Sequence, residues 1–153
     1  MHCGLRRLPD LSDKLILFVG LGNVFHRDDG VGVYLAQRIH ENRRIRVLNA
    51  EIGIENYIGK INSIDPDFLI LLDSVVFNRP PGYCQLIPVE KLTDYTSNTH
   101  NLSLGRIGEF INAKAYILGI QPAAVSFGEG LTSPVRKKAD LLIKKINACF
   151  SCI

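Results

Sequence analysis

Short unbroken apolar runs alternate along the chain with stretches whose apolar side chains return every three or four positions. "KLILFVG" at 14–20 is such a run, closed by glycine, and reads as a buried strand. In "GVGVYLAQRIHEN", Val31, Tyr34, Leu35 and Ile39 share one helical face. "RIRVLNAE" predicts a second strand, and "GIENYIGKINSI" a helix with Ile54, Tyr57, Ile58 and Ile61 in register. Asp65-Pro66 then breaks the chain before "DFLILLDSVVF" at 67–77, which holds the most apolar strand and is the candidate for the sheet's centre. "YCQLIPVE" predicts a further strand, and Pro88 points to an edge position because proline cannot donate to a neighbour. Residues 91–101 are polar and loop-like, "LSLGRIGEFINA" reads as a helix despite two glycines, and "KAYILGIQP" reads as a strand. "TSPVRKKADLLIKKINACF" predicts the last helix, with Ser133 as its N-cap and Pro134 at its first position.

Strands separated by helices imply βαβ crossovers, hence an α/β fold with a mainly parallel sheet and helices on both faces. Ligands of such sheets bind at the carboxyl ends of the strands. The positions that matter most are therefore 20–30, Glu51, Asp73 and the stretch from Gln121 to Gly130.

At 153 residues the chain has room for one domain, expected to span 1–153 with its core at about 14–146 and an N-terminal tail at 1–13. No apolar run approaches the ~20 residues that span a bilayer, so no membrane insertion is expected. The N-terminal stretch lacks the apolar segment of a secretory signal, which makes the cytoplasm the expected compartment. The net charge of +3 is mild, and "NRRIR" and "RKK" read as solvated faces without the aromatic platforms of a nucleic-acid surface. "CFSC" at 149–152 has a CxxC spacing but closes a helix instead of opening one, so it reads as a pair of free thiols.

The chemistry concentrates in "GLGNVFHRDDGVG" at 20–32. Gly20 and Gly22 give half of a GxGxxG dinucleotide fingerprint, but Phe25 stands at the third glycine position and no Lys-Ser or Lys-Thr follows. Asp28 and Asp29 sit at the expected start of a helix, where one carboxylate, Asp28, is accounted for as a cap. A pair of carboxylates repels a pyrophosphate, and the surplus acid suits a cation better. Asp73 ends the apolar strand "FLILLD", where an ionised carboxylate is costly unless it is hydrogen-bonded, paired or bound to a metal. His100 follows a polar loop. Asp29, Asp73 and His100 together would make a site of two carboxylates and one imidazole with open positions, although spacing alone does not bring them together. No GxSxG elbow or HExxH motif is present, and Ser74 and Cys84 are nucleophile candidates by sequence proximity only.

Four separated segments resemble the hydrogenase maturation proteases, the endopeptidases that trim the C-terminus of nickel–iron hydrogenase large subunits. They are "GLGNVFHRDDGVG", which accounts for Asn23, then "LILLDSV", "SNTHNLSL" and "ILGIQPAAVSFGEGLTSPV". The His loop is closest to its form in the subgroup serving formate-hydrogenlyase-type hydrogenases. The resemblance implies a three-layer α/β/α sandwich around a twisted, mostly parallel sheet of about five strands. It implies that Asp29, Asp73 and His100 are both the catalytic set and the metal set. They would sense nickel carried by the [NiFe] hydrogenase large-subunit precursor. No permanent metal is expected, although a divalent ion such as Ni, Zn or Cd can fit such a site. Gly22, Asn23 and Gln121 would shape the cleft for the substrate's tail, and a monomer is the expected state. Cleavage could use a polarised carbonyl, a metal-bound water or a carboxylate general base. A metallocentre-binding chaperone with the same residues and a Rossmann-type nucleotide-binding protein are the competing readings.

Overall fold

The computed structural model describes residues 4, 11–94 and 104–150. Five strands form one sheet: β1 (Ile16–Leu21), β2 (Ile45–Glu51), β3 (Phe68–Ser74), β4 (Cys84–Pro88) and β5 (Lys114–Ile120). Their order is β2-β1-β3-β5-β4. All neighbours are parallel except β4, which runs antiparallel to β5. The most apolar strand, β3, is the central one, and Pro88 lies in the edge strand, as the sequence predicts.

β1 is buried along its whole length, which is why its sequence runs apolar without alternation. Ile16 and Phe18 face α1 (Val31–Ala36) and α3 (Ser133–Phe150), sharing a core with Leu35, Ala139 and Ile146. Leu17, Val19 and Leu21 face the other way, toward α2 (Ile58–Ile64) and the 104–111 segment, in a core with Ile61 and Ile107. Two apolar cores on either side of one sheet make three layers. Each fully buried large aliphatic or aromatic side chain contributes roughly 1.5–3 kcal/mol of burial.

Three expectations need correcting. The helix after β1 is shorter than its apolar spacing suggests and ends at Ala36. Asn42 then turns the chain, its Oδ1 accepting from Arg44 N at 2.9 Å and Ile45 N at 3.0 Å to open β2. Within "LSLGRIGEFINA", the described part is helical at Leu104 and Gly105, then turns at Arg106 into a short 3-10 turn at Ile107–Glu109, so the helix does not run on through Gly108. Thr132, not Ser133, caps the last helix, since its carbonyl accepts the first intrahelical bond, from Arg136 N at 2.9 Å. Among the described residues, no helix is long and apolar enough to cross a membrane.

α1 begins hard against the ends of β1 and β3. A Cβ at Gly32 would overlap the carbonyl oxygens of Leu72 and Leu21. This close approach sets where the preceding loop lies.

Candidate active site

The β1–α1 loop doubles back at Gly22, whose φ of +112° suits only glycine. A Cβ there would overlap the Asp29 carbonyl and stand 3.5 Å from Asp73 Oδ1. The loop's amides are spent inside the protein. Gly22 N donates to Glu51 O at 2.9 Å and Asn23 N to Asp29 Oδ2 at 2.9 Å. Phe25 N donates to Asn23 Oδ1 at 2.9 Å, an Asx turn that Asn23 alone in this loop can supply. Arg27 N and Asp28 N donate to Gly128 O at 2.9 Å and Ala124 O at 3.0 Å. A phosphate needs such amides pointing at it, so the glycines serve close backbone packing and not an anion cradle.

The carboxylate of Asp29 meets the end of β3. Ser74 Oγ donates to Asp29 Oδ1 at 3.2 Å, while Ser74 N donates to Asp73 Oδ1 at 2.8 Å. One serine thus holds both acids. Asp73 is only 1% exposed, whereas Asp29 is partly open to solvent. The two acids singled out from the sequence are therefore neighbours at the carboxyl end of the sheet. His100 and its flanking residues Thr99 and Asn101 lie outside the described residues, and the described ones hold no third metal-type ligand beside the two acids.

Asp28 does not cap the helix: neither the turn it belongs to nor α1 has a side-chain cap. It is fully buried and points the opposite way from Asp29. Its Oδ2 accepts from Ala123 N at 2.9 Å, Ala124 N at 3.0 Å and Thr132 Oγ1 at 2.7 Å, and its Oδ1 from Thr132 N at 2.7 Å. Burial pushes its pKa up, but the Thr132 hydroxyl and the three backbone amides outweigh burial and hold it below the usual carboxylate value. Gln121 is likewise occupied. Its Oε1 accepts from Phe77 N at 2.7 Å and its Nε2 donates to Pro122 O at 3.2 Å, so it braces the loop after β3. Cys84 is disulfide-bonded, which withdraws it as a nucleophile, while Cys149 is free and exposed.

The family model for hydrogenase maturation proteases matches residues 31–148. The chain belongs to that family. As a member it is a peptidase. A Methanocaldococcus jannaschii protein, provisionally named a hydrogenase maturation protease, is 24% identical over 147 residues, covering 87% of this chain and 86% of its own. The crystal structure of the [NiFe] hydrogenase maturation protease HycI from Thermococcus kodakarensis superposes with a TM-score of 0.79 at 24% identity, over 92% of this chain and 96% of that one. The solution structure of the endopeptidase HycI from Escherichia coli gives 0.75 at 23% identity, over 88% and 90%.

In this maturation protease, sequence reasoning missed two polar residues. Ser74 was visible only as a possible nucleophile, yet its hydroxyl is given to Asp29. Thr132 stands one residue before Ser-Pro and has the same capping chemistry as Ser133, so the sequence alone does not choose between them.

Proposed function

We propose that the protein removes the C-terminal extension of a [NiFe] hydrogenase large-subunit precursor after nickel has been inserted, and that Asp29, Asp73 and His100 read the nickel. The observation that carries this reading is the serine bridge, with Ser74 bonded to Asp29 through its hydroxyl and to Asp73 through its amide. Two acids held this close by one serine repel each other, and a cation shared between them would relieve that repulsion. The nickel here is cargo of the substrate, with no resident metal required. Carboxylates and an imidazole suit a first-row divalent ion and leave positions for the substrate's own ligands. Asp29, the partly open acid, is the one a substrate-borne ion or an attacking water reaches, while buried Asp73 closes the site from the sheet side. Recognition of the loaded precursor is then a differential binding energy, absent when the precursor is empty. Gly22, Asn23 and Gln121 act indirectly in this reading: the first two set the loop that carries Asp29, and Gln121 fixes the opposite wall.

The deciding experiment incubates nickel-loaded and nickel-free precursor with the protein and follows mass. Loss of the C-terminal extension from the loaded form alone is expected. Asp29→Asn, Asp73→Asn and His100→Ala should each slow it by roughly 100-fold or more, with melting temperatures close to wild type. A tight complex with no mass change would identify a chaperone instead.

A further inference from the structure

On the side of the loop away from Ser74, the β1–α1 turn and the 123–128 segment are zipped together. His26 and Gly128 form a parallel bridge, Gly128 N donates to Phe25 O at 2.7 Å, and the His26 and Phe127 rings meet edge to face at 6.2 Å. The zipped pair presents large apolar side chains to solvent. Phe127 is 83% exposed, Phe25 53% and Val125 49%. Fixed, contiguous and uncovered apolar side chains on a rigid loop pair are the mark of a contact surface.

Next to them lies a hollow of about 170 Å³ lined by Arg27, Arg38 and Arg136 around Tyr34. The Arg38 guanidinium carbon stands 3.7 Å from the Tyr34 ring centre and that of Arg136 5.9 Å. Among the described residues none of the three arginines is ion-paired, and Arg27 Nε is buried with no partner. Asp140, beside the hollow, accepts from the Tyr34 hydroxyl at 2.6 Å, and buried Asp28 next to Arg27 is filled by amides and the Thr132 hydroxyl. Three like charges around one hollow repel each other and leave a vacancy for an anion. The hollow is below the ~300 Å³ of small-molecule sites and suits a side-chain-sized group.

We propose that this face is the docking surface for the protein substrate, lying outside the reaction site. An apolar patch of the precursor covers Phe25, Val125 and Phe127, and an acidic side chain of the precursor enters the arginine hollow. The proposal rests on the function given above. Charge selects the occupant: a second copy in a symmetric contact would set two groups of three guanidinium ions against each other. Docking here places the substrate against the outer side of the loop whose inner side carries Asp29, so binding and metal reading are separable.

The test measures binding of full-length protein to nickel-free precursor, alongside cleavage of the loaded form. Phe127→Ser and Arg136→Glu should each weaken binding about tenfold or more, with unchanged melting because both side chains are exposed. In processing assays they should raise KM and leave kcat alone. Wild-type binding should weaken as salt rises from about 0.05 to about 0.5 M, and Arg136→Glu should lose that dependence. No measurable wild-type binding, or variants that bind as wild type does, would overturn the proposal. Wild-type protein that binds but never cleaves the loaded precursor would overturn the function above and leave the docking surface standing.

Discussion

Ser74 stands between two acids and gives each of them one proton donor. Its hydroxyl orients Asp29 and is not free to attack a carbonyl. Ser74→Ala is therefore expected to slow processing about tenfold, the usual scale for a group that orients a ligand. Ser74→Thr, which keeps the hydroxyl, should recover most of the rate. A serine nucleophile would instead lose all activity in the alanine variant, so following precursor mass with time separates the two. Asp29 and Asp73 were legible in the sequence because each breaks a local rule: one acid too many for a helix start, and one acid at the end of an apolar strand. Ser74 was not, because its meaning depends on a loop arriving from 45 residues away.

At the scale of elements, the loops are fixed by how closely α1 approaches the sheet. Gly32→Ala must push α1 off the carbonyls of Leu72 and Leu21, and a loss on the order of 3–4 kcal/mol is expected from urea unfolding. Gly59, inside α2, has nothing within 4 Å of a would-be Cβ, so Gly59→Ala should raise stability by about 0.5–1 kcal/mol. Strands were read well because burial on both faces writes itself as unbroken apolar runs. Helix extents were read less well. Apolar spacing over 102–113 matches a helix throughout, but among the described residues helix gives way after Gly105 to a 3-10 turn at Ile107–Glu109, and α1 ends at Ala36 ahead of the turn that Asn42 builds into β2.

At the scale of the whole molecule, Asp28 ties the first crossover to the last. Its four acceptor contacts join the β1–α1 turn to the loop leading into α3. Asparagine offers one oxygen in place of two. Asp28→Asn should cost about 3 kcal/mol by stranding buried donors at roughly 1–3 kcal/mol each, visible as a lower melting temperature. Its folded-state pKa is lowered, so its contribution is complete above the ordinary carboxylate range near ~3.9. That contribution disappears as pH falls from there through the lowered value. Acid unfolding of wild type should show this loss, and Asp28→Asn should show less of it. Sequence reasoning gave Asp28 a local role as a helix cap because local partners are all that spacing can suggest.

The same long tie orders events in time. Asp28 and Thr132 are 104 positions apart, and the other partners of Asp28, Ala123 and Ala124, are 95 and 96 away. During synthesis the acidic turn must wait for 104 further residues before this anchor exists. A nascent chain that has not reached Thr132 lacks this anchor for the turn that carries Asp29. The first crossover is thus tied down only after the residues that open α3 have been made.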